Sequence, residues 1–280
     1  MTAAQRIITA IILLAACAAA EAQRVYTPSD STCIERVLNE CGQSASTLDI
    51  ASHFMGRPYV ASTLDSCNVE RLVVNTRAFD CTTFVETITA IALTARSDGR
   101  KNFDQFCQAL QLLRYRGGLC SGYASRLHYI SQWITDSAKK GKISEIITDA
   151  HTATQRLSLN FMSSHPTAYP QLKADGTLVP RIREHESSFC DTTIKYIPKS
   201  ALNGGRDKLG IEDGDILALV TAIEGLDVSH IGFAKWIDGR LHLVHASSVA
   251  GATIVDEQTL YDYMRTKKKS LGVRLFRLQK

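Results

Sequence analysis

The chain has 280 residues, 45% of them hydrophobic and 21% charged, which is enough apolar material to bury a core in one domain or two at most. Its formal charge is only +4, and the single dense basic run, Lys267-Lys268-Lys269, reads as a solvated helix end, so no nucleic-acid partner is expected. After the first residues, no stretch is long and apolar enough to span a bilayer.

Those first residues look like an export signal. Arg6 supplies the positive charge, residues 7–16 are apolar but too short to cross a membrane, and Ala20-Glu21-Ala22 fits a small-x-small cleavage site. This divides the chain into a signal peptide, 1–22, and one folded domain, 23–280. Leu14-Ala15-Ala16-Cys17 also resembles a bacterial lipobox, in which a lipidated Cys17 becomes the first residue and attaches the protein to a membrane. Both readings export the chain, to the periplasm. Export lets Cys33, Cys41, Cys67, Cys107, Cys120 and Cys190 form disulfides; Cys33 with Cys41 and Cys107 with Cys120 are nearest along the chain, but connectivity does not follow from sequence. No C-x-x-C or H-x-x-x-H spacing occurs, so no metal site is expected.

In chain order, residues 34–38 carry a short helical signal, and a helix over 46–55 is broken by Gly56-Arg57-Pro58-Tyr59. Leu72-Val73-Val74 is a short extended segment. Cys81, Phe84, Val85, Ile88 and Ala92 recur at helical spacing, with Asp80 as N-cap. Residues 103–115 form an amphipathic helix ended by Gly117-Gly118, and 126–149 hold one or two more, broken at Gly141. Residues 161–170 read as a loop over the site. After about residue 178 the pattern turns to strands, at 216–220, 231–237, 241–246 and 271–278. Helices first and antiparallel strands later make an α+β fold, a nucleophile helix packed on one sheet with extra helical insertions.

The chemistry gathers at Cys81. A helix start with its exposed N–H groups favours a thiolate. Asp238-Gly239 between two apolar runs is a strong hairpin signal. With those two residues as the loop, Ile237 pairs with Arg240, Gly232 with His245 and His230 with Ser247. His230 and His245 are then diagonal neighbours on one sheet face, roughly 7–8 Å apart at Cα, with Gly232 leaving room between them. A thiol needs a base to take its proton, and the base needs a polar partner to fix its orientation. Cys81 is therefore the expected nucleophile, His230 the base and His245 the orienter. Six further histidines show that histidine alone selects nothing.

Asp80-Cys81-Thr82-Thr83-Phe84-Val85-Glu86 resembles the nucleophile motif of the NlpC-type, papain-like cell-wall cysteine amidases. Gly56-Arg57-Pro58-Tyr59-Val60, Ser229-His230-Ile231-Gly232-Phe233 and Val244-His245-Ala246-Ser247 resemble its other site segments in the same order. Ser125-Arg126-Leu127-His128-Tyr129, Asn160-Phe161-Met162-Ser163-Ser164-His165-Pro166 and Gly225-Leu226-Asp227-Val228-Ser229-His230 resemble its N-acetylmuramoyl-L-alanine amidase-like branch. The resemblance implies a papain-like core and no cofactor. It also implies cleavage between the muramoyl lactyl group and L-Ala of peptidoglycan fragments, with a preference for anhydro-muropeptides. A D-Glu–diamino acid endopeptidase and an inactive wall-binding lipoprotein are the competing readings. Arg57 departs from the family pattern, where a small residue is expected. The resemblance also suggests substrate contacts for Tyr59, Asp80, Arg126, His128, Asp227 and Ser229. Each has a structural alternative: a core tyrosine, a helix cap, a salt bridge, a turn former.

Overall fold

The computed structural model describes residues 22–65 and 69–279. The leader, with Cys17 and both candidate processing sites up to Glu21, lies outside the described residues, as does Cys67. Strand β1 (Arg24–Val25) runs parallel to β2 (Leu72–Val73) as a small ribbon. The other strands are β3 (Ile143–Glu145), β4 (Ala153–Arg156), β5 (Thr193–Pro198), β6 (Ile216–Thr221), β7 (Val228–Ile237), β8 (Arg240–Ser247), β9 (Ala252–Thr259) and β10 (Ser270–Leu278). They form one antiparallel sheet in the order β4-β5-β10-β6-β7-β8-β9, with β3 also beside β10. Mixed helix and antiparallel sheet make the α+β class plain.

The helix Cys81–Arg96 crosses the sheet as the central element of the main core. Asp80 caps it: its Oδ1 accepts from the Thr83 N–H at 2.7 Å, while the Thr83 hydroxyl donates back toward Asp80. Phe84 joins the helix to β7 through an edge-to-face contact with Phe233, 6.1 Å between centroids. A second such contact, with Phe79, extends the aromatic chain to Phe54. Helix Phe103–Arg114 lies beside it, capped by Asn102 and buried through Phe106, Leu110 and Leu113.

Three sequence expectations change. Gly141, at φ 64°, ends the helix Ile130–Lys139, and the residues beyond it pair with β10 as β3 rather than starting a second helix. The helix–strand boundary near 178 dissolves: β4 precedes it, and Val179–Ser187 is helical. Residues 161–170 are no bare loop. Phe161–Ser164 is a short helix, and Met162 is buried with Tyr123, Tyr129, Leu172 and Ile182 in a satellite core under the helical insertions.

Among the described residues, Cys33, Cys41, Cys81, Cys120 and Cys190 form no disulfide. Cys33 and Cys41 stand eight residues apart along the helix Pro28–Glu40 and its cap, about 12 Å of rise, which is beyond disulfide reach.

One ion pair ties three of these elements together. The Arg114 Nε donates to Glu86 Oε2 at 2.8 Å, its Nη1 donates to the Val73 carbonyl at 2.6 Å, and both side chains are almost wholly buried. Removing one partner strands a charge in the core, so Glu86→Ala is expected to lower unfolding free energy by about 3–5 kcal/mol in urea titrations. Glu86→Leu combined with Arg114→Met should cost less than either single substitution. A double variant as unstable as the sum of the singles would refute that account.

Candidate active site

The site forms where β7 and β8 part. Asp238 and Gly239 take φ values of 48° and 72°, the left-handed pair that a two-residue hairpin turn requires. The ladder runs from Ile237–Arg240 to Phe233–Val244. Two residues further along β7, the Ile231 N–H serves the sulfur of Cys81, and Thr82 is another polar neighbour, with Oγ1 4.0 Å from Sγ. This sets the thiol of the first helical residue beside the strand position next to His230.

The two imidazoles meet as the hairpin register requires. His230 Nε2 and His245 Nδ1 are 2.6 Å apart, with the rings perpendicular. Gly232 makes this approach possible, because a Cβ there would lie 2.8 Å from the Val244 carbonyl and 3.0 Å from the His245 Cβ. The second nitrogen of His245, Nε2, lies 3.3 Å from Asp256 Oδ2. A carboxylate only accepts, so Nε2 of His245 carries its proton and Nδ1 accepts from the His230 Nε2–H. That leaves the His230 Nδ1 lone pair free to act as a base. Burial, with neighbouring His245 and Lys267, pushes His230 down to about 3. Burial also lowers His245, against the pull of Asp256. Both rings are neutral near pH 7.

Burial, reinforced by the adjacent Asp80 carboxylate, pushes the Cys81 thiol up to about 11. Burial and Asp80 thus work against the thiolate that the helix start favours. The Asp80 carboxylate already occupies the positive end of the helix through the Thr83 amide, and its own charge stands one residue from the sulfur. The resting pair is a neutral thiol and a neutral imidazole.

Three side chains complete the surroundings. Pro58 to Val60 run alongside Phe79, with the Val60 N–H donating to the Phe79 carbonyl, and so bring Tyr59 beside the thiol. Burial and the neighbouring Cys81 and Asp80 raise the Tyr59 hydroxyl. Tyr263, from the helix Leu260–Arg265, lies 6.4 Å from the His230 ring and 5.8 Å from the His245 ring. Lys267 stands over Tyr263 at 4.4 Å, which corrects its reading as a freely solvated helix end. Asp256 and Tyr263 were not legible as site residues. The signal for Asp256 was available, because counting across the turn from Ser247–Ala252 places Ile254 opposite His245 and Asp256 diagonal to it.

Other expected contacts sit elsewhere. The Arg126 guanidinium is spent on Glu70 through Nε and Nη2, on Asp65 through Nη1 and on the Leu64 carbonyl, so its role as a substrate-carboxylate ligand gives way to a buried ion-pair cluster. His128 stacks on Tyr123, its Nε2 is 2.9 Å from the Tyr123 carbonyl, and burial beside Arg126 pushes it down to about 3. Asp227 is buried and accepts from the Ser131 and Val228 amides, joining the helix Ile130–Lys139 to the start of β7. All three side chains thus have internal partners in the structure. Ser229 is exposed, and its hydroxyl reaches the Leu219 carbonyl at 3.4 Å. Asp80 serves as the helix cap.

The family described as N-acetylmuramoyl-L-alanine amidase-like matches residues 49–273, and the chain belongs to that family. An N-acetylmuramoyl-L-alanine amidase from Bacteroides uniformis is 37% identical, with a TM-score of 0.78 over 84% of this chain and 98% of its own. A Bacteroides fragilis protein carrying the name "putative xylanase" is 38% identical, with a TM-score of 0.75 over 81% of this chain and 98% of its own. A Legionella pneumophila protein, 21% identical, shares the fold with a TM-score of 0.68 over 90% of this chain and 95% of its own. Among curated proteins none matches significantly.

Two measurements test the electrostatics. With its thiol held near 11, Cys81 is expected to react with iodoacetamide at neutral pH more slowly than the exposed Cys190, and to accelerate steeply as pH rises. Peptide mapping that finds Cys81 labelled first at neutral pH overturns the neutral resting pair. His128 and His230 stay neutral in the fold down to about 3, whereas the unfolded chain takes up those protons near pH 6.5. The unfolded state therefore binds more protons between these values, and stability, complete above about 6.5, is lost as pH falls. Each such histidine contributes roughly 1.4 kcal/mol per pH unit. His128→Gln should flatten that decline in thermal melts, and an unchanged slope contradicts it.

Proposed function

We propose that the protein is an exported, periplasmic cysteine amidase with a papain-like core of the NlpC type. It hydrolyses the amide between the muramic lactyl carbonyl and L-Ala in peptidoglycan fragments, anhydro-muropeptides foremost. The observation that carries this reading is the hydrogen-bonded chain Asp256–His245–His230, on the strand whose next residue, Ile231, meets Cys81, in a member of an amidase-like family. The name of the Bacteroides uniformis relative supports the choice of bond.

The reaction follows from the resting protonation states. Nδ1 of His230 takes the Cys81 proton as the sulfur attacks the lactyl carbonyl, so the thiolate exists only while the carbon–sulfur bond forms. The Cys81 N–H at the helix start faces the developing oxyanion, with the Tyr59 hydroxyl as a second donor on that side. The tetrahedral adduct collapses, the carbon–nitrogen bond breaks, and His230 gives its proton to the leaving L-Ala amine. Water then attacks the thioester while His230 takes its proton, and the muramic carboxylic acid leaves as the thiol is restored. Asp256, through His245, holds His230 in the tautomer that keeps Nδ1 free. The xylanase name of one neighbour fits the site poorly. Glycoside cleavage runs on two carboxyl groups flanking the bond, and here Asp80 is committed to the helix cap and Asp256 to His245.

The test feeds purified protein disaccharide-peptides with and without the anhydro end and identifies products by mass. Release of a stem peptide with a free L-Ala amine is expected, and Cys81→Ala should reduce it by at least roughly a thousandfold. Cleavage after D-Glu instead would assign the endopeptidase reaction, and unchanged turnover by Cys81→Ala would remove the cysteine mechanism.

A further inference from the structure

A cleft of about 420 Å³ opens next to the histidine pair, lined by Ser247, Asp256, Glu257, Tyr263, Thr266 and Lys267 among others. Lys267 is its one lysine or arginine. Its position is fixed by the turn after the helix Leu260–Arg265: its N–H donates to the Met264 carbonyl, and its own carbonyl accepts from the Ser270 N–H and from Lys199 Nζ. Its ammonium rests over Tyr263, the ring that packs on both imidazoles. Among the described residues, no carboxylate lies within ion-pair distance of it. Asp256 turns its oxygens to His245 and the Gln258 amide, and Glu257 is an exposed side chain of the cleft wall that makes no ion pair with Lys267. The cleft thus presents a lysine without an ion-pair partner, resting on the ring that packs against the histidine pair.

The reaction decides which half of the substrate passes here. The imidazole that gives its proton to the leaving amine must stand on the leaving-group side of the scissile bond. The ground beyond His230 therefore receives the peptide and not the sugar. In the proposed reaction that peptide begins L-Ala–D-Glu, and the first free carboxylate on it belongs to the second residue. We infer that this cleft is the leaving-group subsite for an anionic stem peptide, with Lys267 pairing the carboxylate nearest the scissile amide. This rests on the amidase reading for the direction of the substrate, while the anion site itself rests on the cleft and its lysine.

The test uses the full chain carrying Cys81→Ala, so that binding is read without turnover. It compares two intact disaccharide-peptides that differ only in a carboxylate or a carboxamide on the second residue. Calorimetry is expected to show the carboxylate ligand bound at least about tenfold more tightly, a charge-assisted contact. Adding Lys267→Met should collapse that ratio toward one, and Lys267→Arg should preserve most of it, with thermal melts confirming that each variant is folded. Equal binding of the two ligands with Lys267 intact, or a ratio that survives Lys267→Met, overturns the inference. Turnover of the same ligands by the unsubstituted protein is scored separately. Carboxylate discrimination without release of L-Ala-initiated peptide would keep the anion subsite and sink the amidase reading.

Discussion

The hairpin register of β7 and β8 is the constraint on which the site depends. Side chains alternate along a strand, so a slip of one residue would turn either histidine to the opposite face. The left-handed conformations of Asp238 and Gly239 permit a two-residue turn whose twist matches the strands, and that turn fixes every pair from Ile237–Arg240 to Phe233–Val244. Gly232 then does what no other residue can, because any Cβ there collides with the Val244 carbonyl and the root of His245. The 2.6 Å contact between the imidazoles is thus decided by backbone geometry at a turn several residues away.

The same region shows why a reactive thiol need not rest as a thiolate. A helix N-terminus stabilises whichever anion reaches its free amides first, and here the cap residue Asp80 does so, leaving Cys81 half-buried beside a negative charge. A low-pKa cysteine and a charged histidine would form a standing ion pair. A buried neutral pair moves charge only when substrate arrives, and the Asp256–His245–His230 chain then has an imidazolium to stabilise. Neutrality of the histidines follows from their burial against Tyr263 with Lys267 beyond it.

What was legible in the sequence was local. The Cys81 helix, its Asp80 cap and the Asp-Gly hairpin each declare themselves within a few residues, and the two histidines follow by counting. What was hidden depended on partners far along the chain. Arg126 looked like a carboxylate ligand until Asp65 and Glu70 supplied its acids, and Asp227 looked like a neighbour of the base until the Ser131 amide claimed it. Gly141 was read as a break between helices because nothing nearby announces that residues 143–145 will find β10 more than a hundred residues later. Asp256 was within reach of the same counting that found His245. It was missed because the turn between Ser247 and Ala252 carries no signature as strong as Asp-Gly.

The distribution of buried charge explains how a helix-rich insertion and a sheet hold one geometry. Glu86–Arg114 fastens the Cys81 helix to its neighbour and to β2. Arg126 with Asp65 and Glu70 fastens the segment after Tyr59 to the chain that leads into the helix Ile130–Lys139. Asp227 and Arg274 meet at Ser131, joining that helix to β7 and β10. Replacing such groups by apolar ones of the same shape is often neutral or stabilising, so net stability is a poor reason for their presence. Their effect is directional: an apolar contact tolerates sliding, whereas an arginine held on two carboxylates does not. Each cluster fixes an element that abuts the thiol or the base. Lys267 is the contrasting case. Among the described residues no carboxylate pairs with it, which leaves its ammonium able to meet a charge that arrives with the substrate.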